Sequence, residues 1–227
     1  MRRVPSQEWL DDDLGTPKEI HQSFDDLWRI NRHLGGVSGC LRLLGKFFAR
    51  TGTHHARILD VGSGDARLAA RLQEELAKRQ LSAEFVAFDR RPNHLNNGNH
   101  FPPGFSRVAG DAPKFPFPAK SFDVVMCNLF LHHFSGAEAR KMLHGLAEMA
   151  SRAVLINDLE RRFLPYFFIR IAWPFARSRV TRHDGAASVR QAYTRQELGE
   201  LVREAGFTKF EVESLPAFRL GLTVWKA

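Results

Sequence analysis

The chain has 227 residues, a 44% hydrophobic share, a formal charge of +8 and a pI near 10.0. That length predicts one domain, with core enough to fold without disulfide staples. The opening Met1-Arg2-Arg3-Val4-Pro5-Ser6 lacks the apolar run of a signal peptide, and Cys40 and Cys127 are too few for a disulfide framework; both point to the reducing cytoplasm.

Residues 6–14 are acidic and read as a short helix or arm. Thr16-Pro17 is a cap candidate followed by proline, which opens a helix through Phe24, Leu27, Trp28 and Ile30 to Leu34, where Gly35-Gly36 stops it. A second helix, from about Ser38 to Ala49, carries Leu41, Leu44, Phe47 and Phe48. Next comes a continuous apolar strand, Arg57 to Val61, and then the turn Gly62-Ser63-Gly64. The helix behind it places Leu68, Ala69, Leu72 and Leu76 on one face. Glycine lets the backbone pass close to a ligand, and a tight strand-to-helix turn aims free amides at it. A phosphate-binding P-loop is excluded because no Gly-Lys-Ser/Thr follows. A dinucleotide fingerprint needs glycine where Arg67 stands.

A second strand, Glu84 to Phe88, ends in Asp89, and Val108-Ala109-Gly110-Asp111-Ala112 marks a third. A fourth, beginning at Ser121-Phe122, leads to Asn128-Leu129-Phe130-Leu131-His132-His133. Ser135 with Glu138 forms a capping-box pattern for a helix to about Met149, and Ala153–Ile156 is a fifth strand. Thr194 with Glu197 is a second capping box, Phe210 to Val212 leads into a sixth strand, and Leu220, Leu222 and Val224 alternate like a closing antiparallel edge. Strand–helix alternation throughout predicts an α/β, doubly wound sheet with its ligand over the strands' carboxyl ends. The single domain divides into a helical cap (1–52), a cofactor-binding core (53–158), an insertion (159–193) and the rest of the core (194–227).

The insertion holds the charge. From Arg161 to Arg195 there are eight arginines, no lysines and one acid, Asp184, which leaves +7 of the whole chain's +8. Phe163, Tyr166, Phe167, Phe168, Ile169, Ile171, Trp173 and Phe175 are interleaved with them. This run is too short to span a bilayer and is broken by Pro165, Arg170 and Pro174. It reads as a lid over an apolar substrate, as a surface that rests on an anionic membrane, or as both.

The pattern Asp60-x-Gly62-x-Gly64 resembles motif I of the class I S-adenosylmethionine (SAM)-dependent methyltransferases, departing from it at Ala66, where that family often has a further glycine. The later strand-end motifs follow in that family's order. The resemblance implies a Rossmann-like, seven-stranded sheet with the last strand antiparallel, which uses SAM and releases S-adenosylhomocysteine. Asp60, Gly62, Ser63 and Gly64 would lie under the cofactor. Asp89, with Arg90 beside it, would take the ribose hydroxyls, and Gly110, Asp111 and Ala112 the adenine. Asn128 and Leu129 would line the methyl-donor end. Helices before the first strand fold over the cofactor in this family, so Arg32 or Arg29 would meet its carboxylate unless both are simply solvated.

His133 and His132 are base candidates, because histidine titrates near neutrality; a packing role is the alternative. His183 with Asp184 is a second pair, or else a surface turn. No Cys/His spacing predicts a metal. The overall pattern is similar to ubiquinone/menaquinone-type methylases and small-molecule O-methyltransferases. The stretch Asn31-Arg32-His33-Leu34-Gly35-Gly36 resembles methyltransferases that accompany type III polyketide synthases. Both imply a small lipophilic acceptor such as a phenol, quinol or polyketide, methylated at oxygen or carbon. Leu129-Phe130 after Asn128, in place of a proline pair, argues against the exocyclic amines of nucleic-acid bases. The basic insertion keeps an RNA methyltransferase in view, and a non-catalytic scaffold of the same fold is the other class.

Overall fold

Strands with buried residues at consecutive positions need cover on both faces, and the amphipathic helices between them supply it. In the computed structural model, seven strands form one sheet in the order β3-β2-β1-β4-β5-β7-β6. The structure describes residues 1–96, 101–102, 105–112, 114–172 and 176–226, without the side chains of Phe168, Arg170 and Ala172. Trp173, Pro174 and Phe175 of the aromatic run therefore lie outside the described residues.

Helices α1 (Pro17–His33) and α2 (Gly36–Thr51) precede β1 (His55–Val61), α3 (Arg67–Ala77) and β2 (Ser82–Asp89). A short α4 (Pro92–Leu95), β3 (Ser106–Ala109), β4 (Phe122–Asn128), α5 (Gly136–Met149) and β5 (Ala150–Leu159) follow. The insertion folds as two helices, α6 (Phe163–Ala172) and α7 (Arg179–Gln191). The chain closes with α8 (Arg195–Glu204), β6 (Phe210–Leu215) and β7 (Arg219–Trp225).

Strand β7 runs antiparallel to both β5 and β6, while β1 pairs in parallel with β2 on one side and β4 on the other. Strand order reverses at β1, so the crevice above its carboxyl end is where such a sheet takes a ligand. Alternate strand residues face opposite layers. Leu59, Val61, Val125, Cys127, Val154 and Ile156 pack with Leu143, Leu146, Leu198 and Val202 of α5 and α8. Ile58, Val124, Met126 and Leu155 pack with Leu44, Phe47, Leu72 and Leu76 of α2 and α3. Both cysteines are buried and free.

Thr16 caps α1 and Thr194 caps α8, each in a complete capping box with the glutamate three residues on. The box expected at Ser135 does not form. Gly136 enters α5 with φ +52°, and the Ser135 carbonyl, not its hydroxyl, meets the Glu138 N–H at 3.1 Å.

The insertion is anchored at its base. Arg161 is 5% exposed and bonds the carbonyls of Met1 and Ala192 at 3.0 and 2.5 Å, and it also pairs with Glu197. Of the basic residues counted above, this one is a structural pin and not surface charge. Helix α7 lies against α1, and the first fourteen residues strap across it. Val4 N–H donates to the Arg190 carbonyl at 3.1 Å, and Trp9 and Leu10 N–H donate to Asp184 at 2.9 and 3.0 Å.

Candidate active site

The turn after β1 is built for close approach. Gly62 and Gly64 have φ of +69° and +57°, and a Cβ on Gly62 would collide with the Phe130 ring. Ala66, the departure from motif I, also adopts a left-handed backbone, at φ +60°. The alanine keeps the glycine-like conformation at some cost in strain.

Asp89 ends β2 with each carboxylate oxygen held by one backbone amide. Gly64 N–H donates to Oδ2 at 2.8 Å and Arg91 N–H to Oδ1 at 2.9 Å. An ionised carboxylate has lone pairs to spare for two further donors. Asp60 is 2% exposed, and burial, reinforced by the charge of Asp89, pushes its carboxyl up to about 8. His94, not anticipated from sequence, sits behind Asp89 with Nδ1 3.7 Å away and Nε2 2.7 Å from Asp13. Burial opposes its charge, but these two carboxylates outweigh burial and raise its pKa.

A cavity of about 390 Å³ opens above this turn, a volume within the range of small-molecule sites. Asp60, Gly62, Ser63, Gly64, Asp89 and Arg90 line one part of it, as do Gly110, Asp111, Ala112, Asn128 and Leu129. His132, His133, Glu8 and Asp11 line another, beside the apolar Leu27, Trp28, Ile30, Phe130 and Ile169. One continuous cavity thus joins all the cofactor candidates read from the strand ends to both neighbouring histidines.

Three candidates fall elsewhere. Arg32 is exposed and outside the cavity wall, and Arg29 pairs with Asp26. His183 stacks on Trp9 with ring centroids 4.1 Å apart and lies 2.7 Å from Asp184, so the pair fastens the N-terminal strap. Asn128 reaches the wall, but its amide turns inward. Its Nδ2 donates to Asn31 at 3.0 Å, and its Oδ1 accepts from Asn157 at 3.0 Å and Arg219 at 3.2 Å.

Arg219 is fully buried and also donates to the Leu34 carbonyl at 2.6 Å. Burial lowers its pKa to about 10. This network ties the α1–α2 junction to the sheet, and with it the helices that roof the cavity.

The strap brings two acids to the histidines. His132 is 2% exposed, with Nδ1 2.6 Å from Asp158 and Nε2 3.3 Å from Glu8, the latter without hydrogen-bond alignment. Burial disfavours its charge, yet the two carboxylates win and raise its pKa to about 10. Burial likewise opposes the charge on Glu8, which His132 and His133 nonetheless hold below the usual carboxylate range. His133 stacks on His132 at 4.3 Å and places Nδ1 3.1 Å from Asp11. One ligand atom from each of Glu8, His132 and His133 lies within 4.8 Å of the other two, a cluster that no sequence spacing announces. Asp158 and Glu8 hold His132 as an imidazolium, so the cluster carries its own cation.

Comparison with known proteins agrees with this geometry. A family model described as a methyltransferase domain matches residues 58–152. The chain is 27% identical over 171 residues to a demethylmenaquinone methyltransferase of Chlorobaculum tepidum, covering 70% of this chain and 69% of that protein. It is 27% identical over 164 residues to the Streptomyces avermitilis protein of the same name, covering 67% and 68%. The plantazolicin methyltransferase BpumL, solved with SAH, superposes with a TM-score of 0.69 at 14% identity, covering 96% of this chain and 93% of that one. A SAM-dependent methyltransferase from Aquifex aeolicus gives 0.57 at 14% identity, covering 96% and 97%. The matched methyltransferase domain, the sheet order and the strand-end motifs are all similar to those of the class I SAM-dependent methyltransferases.

Proposed function

We propose that the protein transfers a methyl group from SAM to a small lipophilic acceptor, a phenol or quinol, at oxygen or carbon. The observation that carries this reading is the single cavity running from the glycine turn to the paired histidines, with apolar walls between. Gly62 and Gly64 hold the left-handed turn that lines the cavity, and Asp89 offers the acceptor oxygens that two ribose hydroxyls require. When bound, SAM supplies an electrophilic methyl group on a sulfonium leaving group.

The chain's own work is then alignment, exclusion of water and removal of one proton. Leu27, Trp28, Ile30, Phe130 and Ile169 give the acceptor an apolar seat. His132 is already protonated at neutral pH, because Asp158 and Glu8 hold its proton, so it is a poor base. His133 fits that role better. With Nδ1–H directed at Asp11, its Nε2 is free to take the acceptor's hydroxyl proton. With that proton held on His133, the acceptor's electron pair would be free to meet the methyl group that the cofactor would supply. The demethylmenaquinone methyltransferase relatives and the natural-product methyltransferase fold support a lipophilic acceptor of this class. Incubation with methyl-labelled SAM and a panel of phenols and quinols tests the reading: label should enter one lipophilic member in preference to polar ones, and absence of label from the whole panel would refute it.

A further inference from the structure

Helix α6 has two apolar faces, one packed toward the cavity and the other largely in solvent. At about 100° per residue, Pro165 and Ile169 fall on one side and Phe163, Leu164, Phe167 and Ile171 within a single arc on the other. Pro165 is buried, and Ile169 packs over Gly185 and lines the cavity. The other four are 70%, 46%, 47% and 54% exposed. Among the described residues, these make up four of the seven large hydrophobics that stand in solvent, gathered on one helix. Scattered exposed leucines need no explanation, but a contiguous stripe does.

The surroundings of the stripe indicate what covers it. Arg162 immediately precedes α6, and Arg177 and Arg179 follow it; all three are exposed, Arg162 beside Glu160 and Arg179 beside Glu19. An apolar helical face flanked by cations fits an anionic lipid surface, with the rings in the acyl boundary and the guanidinium groups at the headgroups. The helix is ten residues long, and no helix among the described residues is long and apolar enough to cross a membrane, so α6 would lie in the interface.

We propose that the outer face of α6 docks on an anionic bilayer leaflet, and that the acceptor passes from that leaflet to the cavity beneath the same helix. The second half rests on the lipophilic-acceptor reading above; the first half does not. The docking face is unforeseeable from composition alone, because the cavity-facing and lipid-facing residues alternate within one run.

Vesicle sedimentation with phosphatidylglycerol–phosphatidylcholine vesicles, against phosphatidylcholine alone, tests it with the full chain. Binding should require the anionic lipid, weaken as salt rises, and fall at least about tenfold in a Phe163→Ser, Phe167→Ser variant. Both side chains are exposed and outside the cavity wall, so that variant should still fold and should bind SAM as wild type does. A water-soluble phenol should be turned over equally by both proteins, whereas a vesicle-borne quinol should be methylated more slowly by the variant. Failure to bind anionic vesicles at low salt would overturn the proposal, as would binding indifferent to the two substitutions. Two further outcomes would also overturn it by assigning the stripe to another occupant. These are a concentration-dependent dimer, seen by light scattering and lost in the variant, and retention by RNA without retention by vesicles. If vesicles are bound but no phenol or quinol is ever methylated, docking stands and the acceptor reading falls.

Discussion

Asp158, near the end of β5, accepts both the backbone N–H and the imidazole Nδ1 of His132, at 3.0 and 2.6 Å. Glu8 faces the opposite ring nitrogen, so an imidazole buried at 2% exposure keeps its proton. The consequence for stability has a definite sign. A histidine whose pKa rises from 6.5 to about 10 on folding contributes stability fully present below about 6.5 and lost as pH climbs through 10. The melting temperature should therefore fall between pH 7 and 10, and fall less in a His132→Gln variant. Parallel slopes for the two proteins would mean that His132 does not carry the proton.

Asp60 predicts a pH dependence of cofactor binding. Its carboxyl, raised to about 8 by burial and by Asp89, is largely neutral at pH 6.5. A cationic ligand favours the ionised form, so SAM affinity should rise as pH goes from 6.5 to 8.5, with proton release detectable by calorimetry in buffers of different ionisation enthalpy. Asp60→Asn should flatten that profile. An unchanged slope would place the titrating group elsewhere.

Asp89 is held by two amides, which leaves its remaining lone pairs for the ribose. Replacing it with alanine should weaken SAM binding by roughly 1.5–3 kcal/mol, the range for hydrogen bonds to a charged group. Equal affinity for the two proteins by calorimetry would remove Asp89 from the cofactor site.

Arg219 predicts a purely structural effect. Methionine in its place would keep the bulk and orphan the Leu34 carbonyl while removing a donor from Asn31 and Asn128. Chemical denaturation should show a loss of roughly 1.5–3 kcal/mol or more, because the freed acceptors are buried. A variant as stable as wild type would mean that the α1–α2 junction is held by packing alone.

What could be read from the sequence was local. Gly62-Ser63-Gly64, Asp89 and the Gly110–Ala112 turn declare themselves because the backbone conformation and the ligand-facing group lie within a few residues of one strand end. The Thr16, Ser135 and Thr194 helix starts are equally local, although the side-chain box is missing at Ser135, where Gly136 takes a left-handed backbone. What was hidden is joined over long stretches of chain. Arg219 meets Asn31 across 188 positions, and Gln191 meets Glu8 across 183. An acidic N-terminal stretch looks like a solvated arm until a helix such as α7 fastens it over the site. The same limit explains Arg161, which counts as charge in composition and is a buried pin in the fold.

Methyl transfer that depends on His133 is the most direct test of this site. With methyl-labelled SAM and the phenol or quinol that wild type accepts, His133→Gln should lower turnover by about 10²-fold or more while SAM affinity stays within about twofold. Normal turnover by a folded His133→Gln protein would contradict the assignment of the base, and no labelled product from wild type with any lipophilic acceptor would contradict the function itself.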